Sequence, residues 1–446
     1  MHIILLSGGS GKRLWPLSND IRSKQFLQLL PNENGNPESM VQRVYRQLKE
    51  VGGWSSITVA AGASQKDQLQ IQLGPDVNIV IEPERRDTFP AIALACSYLV
   101  DKCSVGESEP VVIMPVDSFV DIEYFENISR FQDILEPETG LLLLMGAMPI
   151  RPSEKYGYIL PVDNEAEVSD VLKFKEKPDL RTAEDLIRQG ALWNCGVFGL
   201  KLGYILDILK NKYGVKDFSY DVMREKFLTL HKTSFDYEVV EHAERIKVLR
   251  YVGAWKDLGT WETLSEETVS NITGNARADD LCKGTYVYNE LEIPLVAMGL
   301  SNTVVVASND GILVAEKGET YRLKDYLKDL EIRPMYEEKR WGSYKVIEHS
   351  FYEDGTEALT KKLMLKAGGQ ISYQYHNHRK EVWTIIRGEG ILYKDGSKTK
   401  VYSGDVISIS EGEKHGIMGV TEMEMIEVQL GRKLVEDDII RLEMEW

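Results

Sequence analysis

The sequence predicts an α/β domain built on a parallel sheet, then a short β-rich module and an all-β C-terminal domain. Three observations carry that prediction. Residues Met1 to Trp15 run from an apolar strand into a glycine loop, strand and helix patterns then alternate as far as Thr268, and the last third is made of short strand patterns punctuated by glycines. At 446 residues the chain is too long for one ordinary core. Composition shifts place the divisions at 1–270, 271–330 and 331–446.

The first strand, Ile3 to Leu6, empties into Ser7-Gly8-Gly9-Ser10-Gly11-Lys12-Arg13. Closely spaced glycines let backbone N–H groups turn toward an anion, and the two basic residues add charge there. A P-loop is excluded, because Leu6 stands five residues before Gly11 and Arg13 replaces the hydroxyl residue. Leu14 occupies the third glycine position of a dinucleotide fingerprint, so that is excluded too. Taken alone, the stretch also suits a tight strand-to-helix turn with incidental basic residues. Farther on, Ser39 caps a helical pattern to Val51. Ile57 to Ala60, Asn78 to Ile81 and Val111 to Met114 read as strands, with Ser64 to Leu73 and Phe89 to Asp101 as helices between them. Ligands on such sheets gather at the carboxyl ends of the strands, where the Gly8 loop, Glu82 to Thr88 and Pro115-Val116-Asp117 all fall.

A net charge of −17 opposes the diffuse attraction that nucleic acid or an anionic membrane requires, so phosphate ligands must be held by local basic groups. Cys96, Cys103, Cys195 and Cys282 are widely spaced, which indicates reduced thiols rather than a disulfide framework or a cysteine metal site. No apolar run approaches membrane-spanning length, and a cytoplasmic enzyme is expected.

Leu5 to Pro16 (LLSGGSGKRLWP) with Ser23 to Leu27 resembles the signature of sugar-1-phosphate nucleotidyltransferases, most closely the mannose-1-phosphate guanylyltransferases. Their Rossmann-like nucleotide-diphospho-sugar transferase fold is thereby implied for the first domain. Such chemistry is attack by a phosphate oxygen on the α-phosphorus of a nucleoside triphosphate, which calls for basic groups on the leaving pyrophosphate and a divalent metal on carboxylates. Asp117, just after a buried strand, suits a Mg²⁺ ligand as well as a cap or turn residue, and Asp257 supplies a second carboxylate in the turn Trp255 to Trp261, ahead of a helix running to Thr268. The resemblance implies that Leu6, Gly8, Gly9, Ser10, Gly11, Lys12 and Arg13, with Arg86, Thr88 and Pro90, face the nucleotide. It implies that Arg13 and Lys24 neutralise the triphosphate and that Asp117 and Asp257 pair on Mg²⁺. Glu176, Lys177, Asn194 and Asp236 match sugar-side motifs, with Gly157 allowing a close backbone approach. The segment Pro-Val-Asp-Ser departs from the family's usual Asp-His, and Lys12 replaces a commoner Thr, which bears on base and sugar choice rather than reaction type.

Beyond Asn271 come short strand candidates from Thr285 to Ala315, and Tyr321 to Leu330 reads as a helix ended by Arg333-Pro334. In the glycine-punctuated last third, His376 and His378 sit two apart on a predicted strand and so face one side, with Glu381 brought round by a bend near Arg379-Lys380 and His415 farther on. Imidazoles converging with a carboxylate suit Zn²⁺ or a similar ion, though histidines packed without metal also fit the pattern. The spacing resembles the two cupin motifs, with Ser410 and Gly419 in place of the usual Pro and Asn. More narrowly, Gln374 to Trp383, Trp341 to Tyr344 and the tail Ile426 to Arg441 resemble the type II phosphomannose isomerase domain, with Asn377 where a middle histidine is usual. The resemblance implies a jelly roll that interconverts mannose 6-phosphate and fructose 6-phosphate on Zn²⁺ or Co²⁺, with Arg379 holding substrate phosphate or developing charge. GTP, mannose 1-phosphate and a hexose 6-phosphate are the implied ligands, and a homodimer is expected. An inactive cupin used for assembly, and a non-catalytic nucleotide-sugar sensor, stay open as alternatives.

Overall fold

In the computed structural model, which describes all residues except 10, 20, 331, 332, 436, 437 and 444–446, the chain divides into two compact units. The first holds residues 1–14, 18–271 and 316–324, and the second holds 15–17, 272–315 and 325–446.

The first unit is organised on a nine-stranded sheet in the order Asn78–Glu82, Ser56–Gly62, His2–Leu6, Pro110–Pro115, Leu192–Lys201, Leu142–Ala147, Ile246–Tyr251, Val168–Lys175, Tyr158–Pro161. Its first four strands are parallel, as the alternating pattern predicts. The remainder is mixed, because Leu192–Lys201 inserts antiparallel between Pro110–Pro115 and Leu142–Ala147. Ile3, Ile4 and Leu5 are fully buried, as a central strand covered on both faces requires. Helix Met40–Val51 begins on a reciprocal cap in which Ser39 Oγ accepts from the Gln42 N–H at 3.2 Å and Gln42 Oε1 accepts from the Ser39 N–H at 3.0 Å. Helix Thr88–Cys103 is apolar nearly all round and buried along most of its length, which places its N-terminus at the carboxyl edge of the sheet.

Two expected helices are shorter than predicted. The one at Trp261 stops at Leu264, where Ser265 Oγ donates back to the Glu262 carbonyl at 3.2 Å and Thr268 Oγ1 to the Ser265 carbonyl at 3.3 Å. Tyr321 to Leu330 is instead a 3₁₀ run, Lys317–Arg322, followed by the single turn Leu323–Tyr326.

In the second unit, strands Ile272–Gly274, Tyr286–Asn289 and Thr303–Ser308 pair in parallel, one small sheet with Gly311–Glu316 at its edge. The C-terminal domain is two antiparallel sheets of six and five strands facing one another as a jelly roll, with Leu363, Trp383, Ile385, Ile417 and Met425 in the core between them. All four cysteines are free thiols. Among the described residues no helix is long and apolar enough to cross a membrane.

Candidate active site

At the carboxyl edge of the parallel strands a crevice of about 700 Å³ is walled by Leu6, Gly8, Gly9, Arg13, Lys24, Arg86, Thr88 and Asp117, with others. Gly9 holds φ at +133°, a conformation that favours glycine and turns the loop toward the crevice. Gln25 Nε2 donates to the Ser7 carbonyl and, at 3.2 Å, to Ser7 Oγ, tying the loop to the short helix that carries Lys24. Gly11 opens the 3₁₀ turn Gly11–Leu14, and Ser10 before it lies outside the described residues. Lys12 and Pro90 are not among the walls, Pro90 being buried in the first turn of its helix. Arg86 divides its charge between the crevice and a hydrogen bond from Nη2 to the Leu230 carbonyl at 3.1 Å. Thr88 Oγ1 accepts from the Phe235 N–H at 2.8 Å, which fastens helix Thr88–Cys103 to the short helix Phe235–Glu238.

Glu82, which the sequence places at the crevice without giving it a role, is one of the walls. It ends strand Asn78–Glu82 with only 7% of its surface exposed, and its Oε1 lies 3.5 Å from where a Cβ on Gly8 would stand. Burial pushes its carboxyl up to about 7, with Arg85 pulling down and Asp87 pushing further up. A charged residue closing an otherwise apolar strand pattern was the signal available.

A second cavity, about 170 Å³, shares Pro115 and Asp117 with the first and is lined also by Lys155, Tyr156, Gly157, Glu176, Asn194, Asp236, Trp255 and Asp257. Asp257 is not in a turn, as expected, but ends strand Trp255–Asp257, which pairs antiparallel with Ser118–Val120 so that Asp257 stands opposite Ser118. That ribbon brings it beside Asp117. Lys24 Nζ lies 2.7 Å from Asp117 Oδ2 and 4.0 Å from Asp257 Oδ1. Burial pushes the Asp117 carboxyl up, but Lys24 overcomes this and holds it below the ordinary range. In Asp257 burial and the neighbouring Asp117 charge outweigh Lys24 and Arg13, leaving it raised. Two half-buried carboxylates beside one cation, where the cavities meet at Asp117, fit a hard divalent ion such as Mg²⁺.

On the sugar side, a bulge between Asn194 and Phe198, with Gly196 at φ +69°, turns Asn194 toward the pocket. Asn194 Nδ2 donates to Asp236 Oδ1 at 2.7 Å, and its Oδ1 accepts from the Gly196 N–H at 3.1 Å. Glu176 pairs with Lys177, whose φ of 42° is a strained left-handed conformation, while Glu176 Oε2 is buried with no hydrogen-bond partner. A Cβ on Gly157 would press on that same oxygen, so any larger residue there must displace the Glu176 carboxylate. Burial first, then the Glu176 charge, pushes Asp236 up to about 7 against Lys177. Tyr156 packs edge to face on Trp193 and on Trp255, Tyr156 and Trp255 lining the pocket, and neither this aromatic cluster nor Lys155 was given a role from sequence.

In the C-terminal jelly roll, His376, Glu381 and His415 converge with ligand atoms all within 4.8 Å of one another. His376 Nε2 is 3.3 Å from Glu381 Oε1, and His415 Nε2 is 3.5 Å from Glu381 Oε2. Each imidazole directs Nδ1 at a backbone carbonyl, Asp438 at 3.3 Å and Glu413 at 2.8 Å, which assigns the proton to Nδ1 and turns the Nε2 lone pair inward. Trp383 Nε1 donates to Glu381 Oε2 at 3.1 Å. Burial raises the Glu381 carboxyl, yet His415, Arg379 and His376 together bring it down to about 2. Burial pushes His376 down to about 4, against the Glu381 charge. Two neutral imidazoles and a carboxylate fit Zn²⁺ or Co²⁺. Gln374 and Gln429, buried and 3.5 Å from His376 and Glu381 respectively, are neighbours the sequence did not flag.

His378 does not join them, which corrects the expectation drawn from strand parity. The strand Gln370–Tyr375 ends before His376, and the chain bends through 376–378. Asp438 holds that bend by accepting from the Asn377 and His378 N–H groups at 3.1 and 3.2 Å. The His378 side chain is consequently exposed, lining an outer cavity with Lys380 and Arg432. Arg379 is instead turned inward, 3% exposed, with Nη2 3.3 Å from His376 Nε2 and Nε 3.0 Å from Glu381 Oε1.

Comparison with known proteins covers both domains. Residues 2–273 match the Nucleotidyl transferase family and residues 330–444 match Mannose-6-phosphate isomerase C-terminal. The chain is 30% identical over 99% of both lengths to a putative mannose-1-phosphate guanylyltransferase of Vibrio cholerae serotype O1. It is 30% identical to the xanthan biosynthesis protein XanB of Xanthomonas campestris over 99% of this chain and 97% of that one, and 28% identical to the Escherichia coli mannose-1-phosphate guanylyltransferase over 99% and 97%. A solved structure from Thermus thermophilus, described as a mannose-1-phosphate geranyltransferase, superposes with a TM-score of 0.63 at 27% identity, covering 74% of this chain and 98% of that one. With its nucleotide crevice, paired carboxylates and His-Glu-His jelly roll, the chain belongs to the mannose-1-phosphate guanylyltransferase family whose members join a nucleotidyl transferase domain to a mannose-6-phosphate isomerase-type domain.

Proposed function

We propose that this chain transfers GMP from GTP to mannose 1-phosphate, giving GDP-mannose and pyrophosphate, in the first unit. The observation that carries the reading is the pair of cavities meeting at Asp117, one suited to a nucleoside triphosphate and one to a sugar phosphate. An oxygen of mannose 1-phosphate attacks the α-phosphorus, the bond to the bridging oxygen of the β-phosphate breaks, and pyrophosphate leaves with that electron pair. Asp117 and Asp257 would hold Mg²⁺, which supplies charge neutralisation at the transferring phosphate when bound. Lys24 and Arg13 stand where the leaving pyrophosphate gathers charge. Glu176 Oε2, buried and unsatisfied, is an acceptor for a sugar hydroxyl, and Asn194 with Asp236 forms the adjoining wall. For the base, an ionised Glu82 offers two acceptor oxygens, the complement of the N1–H and N2–H donors on the Watson–Crick edge of guanine. The testing experiment gives the purified chain GTP, ATP, CTP or UTP with mannose 1-phosphate and reads pyrophosphate; release with GTP well above the others is expected, and equal release with all four overturns the base assignment.

A second activity is favoured by the convergence of His376, Glu381 and His415. Interconversion of mannose 6-phosphate and fructose 6-phosphate moves a proton between C1 and C2, and Zn²⁺ or Co²⁺ on these three residues would polarise the two oxygens. Conversion of fructose 6-phosphate by the full-length chain tests it; a chain that binds metal without conversion leaves the jelly roll an assembly module.

A further inference from the structure

In the C-terminal jelly roll the inward turn of Arg379 sets its guanidinium directly against the ligand atoms of the His-Glu-His cluster. We infer that Arg379 is the resident counter-ion of the His376–Glu381–His415 cluster and that a divalent ion binds there by displacing its guanidinium, an exchange that rests on the metal-centre reading above.

The argument is one of shared lone pairs. Arg379 Nη2 approaches His376 Nε2 at 3.3 Å, and Arg379 Nε approaches Glu381 Oε1 at 3.0 Å. With the His376 Nδ1 proton committed to the Asp438 carbonyl, Nε2 has one lone pair, and it faces either an arginine N–H or a metal, not both. His415 Nε2, fully buried, accepts no hydrogen bond, so it is the donor already open. Electrostatics points the same way. Glu381 and Glu427 are both buried, at 1% and 7% exposure, and both approach Trp383 Nε1, so their charges lie close together. Arg379 offsets that charge in the metal-free protein. A dication on the same donors would stand within a few ångströms of a retained guanidinium, and like charges at such range in a dry interior repel strongly. Arginine cannot relieve this by losing its proton. It must move.

The test uses the metal-stripped full-length chain, Arg379→Gln and Arg379→Lys, titrated with Co²⁺ and followed by its d–d absorption, with Zn²⁺ competition. Removing the competing cation is expected to tighten Co²⁺ binding by about tenfold or more in Arg379→Gln, with Arg379→Lys in between. The metal-free melting midpoint of Arg379→Gln is expected below that of the wild type, with the gap closing under saturating Zn²⁺. Should Arg379→Gln fail to fold without metal, the Arg379→Lys titration decides alone. Affinity equal to or weaker than wild type in the variants overturns the exchange while leaving the metal centre standing. Absence of Co²⁺ binding in all three proteins overturns the metal centre, and the exchange with it.

Discussion

Lys24 donates to Asp117 across 2.7 Å although the two residues are 93 positions apart, and this contact fastens the glycine loop's helix to the carboxylate that both cavities share. A lysine so placed is held in position by the carboxylate pair, and on the proposed function the same charge meets the leaving pyrophosphate.

Changing Asp117 or Asp257 to Asn is expected to lower pyrophosphate release by about a hundredfold or more, since each removes charge stabilisation at the transferring phosphate. Circular dichroism should show the fold retained, and near-normal turnover in Asp257→Asn would remove it from the site.

Lys24→Ala should chiefly slow turnover, because leaving-group charge grows in the transition state. Lys177→Ala should chiefly raise KM for mannose 1-phosphate. Steady-state kinetics with each substrate varied separates the two, and a change confined to the nucleotide KM in Lys177→Ala would contradict the acceptor role.

Glu82 gives a test of base reading. A carboxamide offers only one acceptor, so Glu82→Gln is expected to lower kcat/KM for GTP by about ten- to a hundredfold. Its carboxyl is raised to about 7, so the acceptor form grows in as pH rises through neutrality. KM for GTP should therefore fall between about pH 6 and pH 8 in the wild type beyond any fall seen in Glu82→Gln.

Asp236 links pH to stability. Its folded value of about 7 exceeds the unfolded value of about 4, so the folded chain binds the proton more tightly. Stability from this group is complete below about pH 4 and declines as pH rises through about 7. Relative to Asp236→Asn, the wild-type melting midpoint should drop between about pH 4 and pH 7; parallel profiles would show that burial and the Glu176 charge do not raise the Asp236 carboxyl.

In the jelly roll, His415→Ala should abolish stoichiometric Zn²⁺ or Co²⁺ binding, whereas His378→Ala should retain it. Metal content after dialysis distinguishes them, and loss of metal from His378→Ala would restore the strand-parity reading.

Much of the site was legible because its residues follow strand ends. Asp117 and the Gly8 loop sit where apolar runs stop, and apolar runs are visible in one dimension, whereas the Glu176-Lys177 corner follows a mixed strand and was reached through the family resemblance alone. Glu82 was placed at the crevice but given no role, because its burial as the last residue of its strand leaves no mark in the sequence. His378 was misplaced because period-two reasoning assumes a strand continues, and here a bend held from Asp438, far along the chain, ends it. Asp257 was read as part of a turn because its three-residue strand pairs with a partner, Ser118–Val120, too short to leave a pattern.

That three-residue strand has a bearing on fidelity. Trp255, at one end, packs on Tyr156 and lines the smaller cavity with it, and Asp257, at the other, is one of the paired carboxylates. One three-residue strand thus ties the aromatic wall of the smaller cavity to a carboxylate of the proposed metal pair, so that on the proposed function the fit of the acceptor and the position of the metal ligand are mechanically linked.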